Sequence, residues 1–134
     1  MGIKQQKIGM DTESTFQDYM REKGWWVHRF ANNISGQPFD FVLVKNKRVI
    51  FADLKNVQDG ELMNFNRLEE NQKNAFKLLK ILGNYNDMGW IIIFDNVYYF
   101  FTYDKYLKIM QLKRKSVYRN ELILFEEYIN ENNN

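Results

Sequence analysis

Residues 36–55 read GQPFDFVLVKNKRVIFADLK. Two apolar runs, Phe39–Val44 and Val49–Leu54, flank a polar turn at Lys45-Asn46-Lys47, which is the pattern of a β-hairpin. Asp40 opens the first strand just after Pro38, the one proline in the chain, and Asp53, Leu54 and Lys55 close the second. Alternate residues of a strand share a face, so Asp53 and Lys55 point the same way. An antiparallel hairpin then brings Asp40, Asp53 and Lys55 to one end of the sheet. Charges gathered at the end of apolar strands are unfavourable unless a metal or a substrate engages them.

The second strand has Val49 and Phe51 on one face and Ile50, Ala52 and Leu54 on the other. Apolar faces on both sides predict a central strand with a layer packed against each. Working outward, a helix is expected from Asp11 or Thr12 to about Lys23, stopped by Gly24. Phe16, Tyr19 and Met20 mark its inner face, and Glu13 shares it by spacing. An acid in a first helical turn also has a plain role against the helix dipole. Residues 25–30, WWVHRF, predict a first strand, and Ala31–Gln37 a loop.

After the hairpin, Asn56–Phe65 reads as a polar, mobile connection with a turn at Asp59-Gly60. A long helix is expected over Asn66–Leu82 with Gly83 as its stop. Its apolar positions are Leu68, Ala75, Phe76, Leu78, Leu79 and Leu82, and Gln72 falls between Leu68 and Phe76 on the same face. A buried polar residue of this kind is either a core glutamine bonded to backbone or part of a site. Trp90–Phe94 and Val97–Tyr103 predict two strands joined at Asp95-Asn96. The aromatic run Tyr98–Phe101 fits core better than a stacking platform. Helices are expected over 104–112 and 120–129. The whole is one domain, residues 1–134, with a loose arm at 1–10 and a disordered tail at 130–134.

The chain contains no cysteine and a single histidine, His28. Thiolate metal sites are excluded and a nitrogen–sulfur zinc site is unsupported. Oxygen ligands remain, which suit Mg²⁺ or Mn²⁺. The net charge of +2 announces no polyanion partner by itself. The longest apolar stretch, Trp90–Phe101, is broken by Asp95-Asn96 and far below the roughly 20 residues that span a bilayer. With no apolar N-terminal signal segment, the expectation is a soluble protein of the cytoplasm.

Phosphodiester hydrolysis calls for carboxylates that hold a divalent cation and a nearby positive charge to steady the phosphate. Asp40, Asp53 and the backbone carbonyl of Leu54 can supply the ligands, Lys55 the positive charge, and Glu13 a further carboxylate reaching metal or metal-bound water from the first helix.

Pro38-Phe39-Asp40 followed by Asp53-Leu54-Lys55 after a short hairpin resembles the PD-(D/E)XK nuclease superfamily, with Glu13 on the leading helix. Residues 35–41, SGQPFDF, and Asn71-Gln72 in the following helix are similar to motifs of RecU-like and phage-encoded Holliday junction resolvases. The resemblance implies an α/β restriction-endonuclease-like core, a mixed central sheet in the order α-β-β-β-α-β, with C-terminal helices. It implies Mg²⁺-dependent cutting of DNA at four-way junctions by a homodimer, in a bacterial or phage-infected cell. Glu13, Asp40, Asp53 and Lys55 would be catalytic, with Gln72 assisting. The basic residues Lys45, Lys47, Arg48, Arg67, Lys113, Arg114 and Lys115 are candidates for DNA phosphate contact. Two alternatives stay open: a restriction-like or repair nuclease on linear or damaged duplex, and a non-catalytic DNA-binding module. The Trp-rich first strand and the C-terminal helices are both candidate dimer surfaces.

Overall fold

The computed structural model describes residues 2–31 and 37–131, with residues 2–11 as backbone alone. Ser35 and Gly36, the start of the motif before Asp40, lie outside the described residues, as does the tail at 132–134.

The hairpin forms as the sequence predicts. Strand β2 (Phe41–Lys45) pairs antiparallel with β3 (Arg48–Gln58), with Phe41 opposite Ala52 and Lys45 opposite Arg48. Asn46 and Lys47 both take positive φ, 51° and 68°, the two-residue turn whose twist matches the strands it joins. Strand β1 (Trp26–Arg29) lies antiparallel on the outer side of β2. On the other side of β3 lies β5 (Met88–Phe94), and the two run parallel. A parallel pair needs a crossover. Here it consists of β4 (Leu62–Asn64), a 3-10 turn at Phe65–Arg67 and helix α2 (Glu70–Gly83). Strand β6 (Val97–Thr102) returns antiparallel to β5 through Asp95-Asn96, again at positive φ, 51° and 64°. The result is an α/β fold with a mixed six-stranded sheet in the order β1-β2-β3-β5-β6-β8, where β8 is Ile123–Leu124. Strand β3 is central, as its two apolar faces require.

Helix α1 (Gly2–Glu22) and helix α4 (Phe125–Glu131) cover one face of the sheet. Phe16 and Met20 pack there with Phe41, Leu43, Ile50, Ile91, Phe100 and Phe125. Helices α2 and α3 (Tyr103–Gln111) cover the other face, where their Phe76 and Tyr106 pack with Phe39, Trp90, Ile92 and Phe101. Phe100 and Phe101 are buried, so the aromatic run is core. No helix among the described residues is long and apolar enough to cross a membrane.

Several expectations change. The backbone of residues 2–10 continues α1 rather than leaving it to begin at Asp11 or Thr12. Asn56–Phe65 is not a mobile loop: β3 runs on to Gln58, and β4 pairs with β7 (Ser116–Tyr118) in a small second sheet. The reason lies in the alternation of exposed Leu62 and Asn64 with buried Met63 and Phe65, a strand period that polar neighbours disguise. Helix α2 starts at Glu70, not Asn66, and its stop is Asn84 in the left-handed region at φ 51°, one residue beyond Gly83. Only the stripe Gln72, Ala75, Phe76, Leu79 faces inward, while Leu78, Ile81 and Leu82 are exposed. The helix expected over 120–129 is split. Ile123 and Leu124 pair with Phe100 and Tyr99 and cover the edge of β6, and α4 begins only at Phe125. Residues 130 and 131, assigned to a disordered tail, are its last turn.

Arg48 ties the far end of the hairpin to α4. Its Nε and Nη2 bond the two oxygens of Asp87 at 2.7 and 3.2 Å, and its Nη1 donates to the carbonyl of Ile129 at 2.9 Å. The Tyr128 hydroxyl donates to Asp87, and the guanidinium lies 4.9 Å from the Tyr128 ring centroid.

Candidate active site

The site grows out of the β2–β3 register. Because Phe41 faces Ala52, Asp40 falls opposite Asp53 at the end of the hairpin remote from its turn. Among the described residues the buried charged or amide side chains are Asp53 (1% exposed), Gln72 (4%), Asp40 (7%) and Lys55 (9%), four of the five site residues expected from the sequence; the fifth, Glu13, is only half-buried.

Asp40 is held firmly. Its Oδ2 accepts from the backbone N–H of Leu54 at 2.9 Å, and its Oδ1 from Gln37 Nε2 at 2.9 Å. The Gln37 carbonyl in turn accepts from Asn71 Nδ2 on α2, and Phe30 N–H donates to the Asp40 carbonyl. Asp53 is the opposite case. Both of its carboxylate oxygens are buried and accept no hydrogen bond. Lys55 Nζ stands 3.3 Å from Oδ2, an ion pair without hydrogen-bond geometry. Burial and, behind it, the charge of Asp40 push the Asp53 carboxyl up to about 8, against the opposing pull of Lys55. Lys55 is shared: its Nζ is also 3.3 Å from Oε1 of Glu69.

Glu13 sits on α1, against the sheet face opposite to Asp53, and is half-buried. It is ion-paired with Arg29 on β1. Its carboxyl is pushed up first by burial and then by Asp40, with Arg29 opposing. Asp40 thus stands at the sheet end between the two layers and acts electrostatically on carboxyls of both. Gln72 is inward, as its spacing predicts, but its Oε1 accepts from the Glu69 N–H at 3.3 Å. It caps α2, and its link to the site passes through Glu69 to Lys55.

The basic residues divide by position. Lys45, Lys47 and Arg48 lie at the hairpin turn, five strand residues or ~17 Å from Asp53. Lys45 Nζ donates to the Lys23 carbonyl at 2.7 Å, and the Arg48 guanidinium is bonded to Asp87 and Ile129, so the phosphate contacts expected of this cluster are not near the carboxylates. Arg67 is near: its Nη1 donates to the carbonyl of Asn56, the residue after Lys55, at 3.0 Å. Arg114 is bound in two places by Glu121, at 2.6 Å each, while Lys113 and Lys115 are exposed.

Sequence reasoning missed Glu69, Arg29 and Gln37. The signal for Glu69 was the Glu-x-x-Gln spacing to Gln72, a reciprocal capping pattern. Arg29 and Gln37 had no such signal, since their roles arise from contacts with Glu13 and Asp40 across the fold.

Among the described residues no group of three or more acidic or histidine side chains converges as a ready metal cage. Glu13, the third acid of the expected set, is drawn to Arg29. The donors left are the carboxylates of Asp40 and Asp53 with the Leu54 carbonyl. The unbonded oxygens of Asp53 are where a hard cation fits this set, because it would satisfy a carboxylate that, alone among the buried ones of the described residues, accepts no hydrogen bond.

No protein-family model matches the chain, and no curated protein matches it.

Proposed function

We propose that the protein is a divalent-metal-dependent DNA endonuclease with a restriction-endonuclease-like core, cutting at four-way junctions as a homodimer. The observation that carries this reading is the Asp53 carboxylate, buried and without a hydrogen bond, beside Asp40 and Lys55 at the end of the central strand. A folded protein that keeps such a group with no other use for it loses stability by doing so.

Asp40, Asp53 and the Leu54 carbonyl would hold Mg²⁺, or Mn²⁺ in its place, with Glu13 at a distance. The bound ion supplies Lewis acidity toward a phosphoryl oxygen and lowers the pKa of water. The protein's own contribution is positional. The Leu54 N–H and Gln37 fix Asp40 in one orientation. Lys55, held between Asp53 and Glu69, offers its ammonium charge to a phosphate. Gln72 acts on Lys55 indirectly, by setting Glu69 at the start of α2. Arg67 fits a phosphate neighbouring the cut. A symmetric dimer follows from the substrate, since two strands must be cut in a defined relation.

The test uses labelled four-way junction and linear duplex with Mg²⁺ or with EDTA. Wild type should cut the junction only with the metal, and Asp53→Ala and Lys55→Ala should each lower the rate by ~10² or more. Undiminished cutting by either variant would sink the site assignment. Equal cutting of linear duplex would favour a restriction-like enzyme, and binding with no cutting under Mg²⁺ or Mn²⁺ a DNA-binding module.

A further inference from the structure

The crossover between β3 and β5 does more than connect two strands. Its segment from Asn64 to Glu69 touches the site at Arg67, which is bonded to the Asn56 carbonyl, and at Glu69, which is paired with Lys55. The same segment forms one wall of a cleft of about 290 Å³, lined by Asn64, Phe65, Asn66, Met110, Arg114 and Lys115. The walls are fixed to each other, since Phe65 N–H donates to the Lys115 carbonyl at 2.8 Å and Asn64 pairs with Ser116 across the small sheet.

The chemistry of this cleft is mixed in a particular way. Phe65 and the Met110 thioether are apolar and polarisable. Asn64 and Asn66 are exposed side-chain amides, each with donor and acceptor atoms. Arg114 is clamped at 2.6 Å by both oxygens of Glu121 and donates to the Ser116 carbonyl at 3.2 Å. Its charge is therefore balanced locally, while its planar group is immobilised and suited to stacking. Lys115 is exposed and has no ion pair among the described residues. A flat ring with a hydrogen-bonding edge, joined to an anionic group, satisfies all of these at once.

We propose that the cleft takes one unstacked nucleotide of the DNA strand that is cut, with its base against Arg114 and Met110, its edge on the two amides and its phosphate toward Lys115. The proposal rests on the nuclease reading and deepens it. Branched DNA would be selected through a nucleotide that a continuous duplex does not release, because extrusion from an intact stack is unfavourable and at a branch or bulge is much less so.

The experiment measures binding of the full chain in EDTA, where no cutting intervenes. A fluorescent duplex carrying one unpaired 2-aminopurine is compared with the matched duplex. Wild type should bind the unpaired form about tenfold tighter, with quenching of the 2-aminopurine as it stacks. Asn66→Ala and Met110→Ala should bring the unpaired form down to the matched level and abolish the quenching, at unchanged thermal stability. Equal binding of both duplexes by wild type, or a preference that survives in both variants, overturns the cleft. Junction cutting with Mg²⁺ is scored in parallel. Cutting without the preference overturns the cleft alone, whereas the preference without cutting supports the cleft as a nucleotide site and removes the nuclease.

Discussion

Burial first, and then the charge of Asp40, raise the Asp53 carboxyl from 3.8 to about 8 against the pull of Lys55, so the folded chain holds that proton far more tightly than the unfolded chain does. The stability linked to it is complete below about pH 4 and is lost as the pH rises through about 8. In EDTA, the melting temperature of wild type should fall between pH 5 and 8, and Asp53→Asn should flatten that fall. At pH 8 the variant should be the more stable by on the order of 2 kcal/mol in urea unfolding, while cutting no DNA. A variant less stable than wild type at pH 8 would mean that the ionised carboxylate is compensated after all. Asp40, Asp53 and Lys55 were legible in the sequence because a strand's period of two and one tight turn fix where they lie. Glu13 was legible only as a face of a helix. Its partner Arg29 was not, since the pairing joins residues on separate elements through the packing of α1 over β1 and β2. For Gln72 the spacing left two readings open, a core glutamine bonded to backbone or a part of the site, and the bond its oxygen accepts from the Glu69 N–H is the first of these.

Elements with a strong local code were readable. Both tight hairpins carry residues tolerant of positive φ, Asn46 in one and Asp95-Asn96 in the other. Strands β7 and β8 have three and two residues, too few for a period to register, and the period of β4 is disguised by its polar neighbours; all three exist because distant partners pair with them. Strand β5 is buried along its whole length, and Gly89 explains how it fits between β3 and β6. A Cβ there would stand 2.2 Å from the Phe101 carbonyl oxygen and 2.8 Å from Thr102 Cα, both backbone atoms that cannot turn away. Gly89→Ala should therefore force β6 from β5 and lower stability by about 3 kcal/mol or more, read as a drop in the urea midpoint. A midpoint within experimental scatter of wild type would show that the sheet can relax around the methyl group.

At the scale of the molecule, the sheet has two ends with different chemistry. One carries the carboxylates, Lys55, Arg67 and the cleft. The other carries the hairpin turn, Lys45, and Arg48 bound to Asp87 and the C-terminal helix. Composition showed basic clusters but not that the sheet would separate them, and a net charge of +2 holds no information about ends. Salt dependence tells the two ends apart. Arg67→Ala should reduce the slope of log affinity against log salt by about 0.9 for junction DNA. Arg48→Met should leave that slope alone and lower folding stability by about 3 kcal/mol, because it leaves Asp87 without its guanidinium. A reduced slope in the Arg48 variant would return the hairpin turn to the proposed DNA surface.

The parallel register of β3 and β5 sets Asp53 directly beside Trp90. That indole is fully buried among aromatic rings, and its Nε1 has no hydrogen bond. Indole emission shifts with the electric field across the ring, and here the field changes whenever the neighbouring carboxyl gains or loses its charge. The molecule thus carries an optical reporter one strand away from the group that matters most. With Trp25 and Trp26 replaced by phenylalanine, light from a single side chain would follow the occupancy of the site, with no label attached.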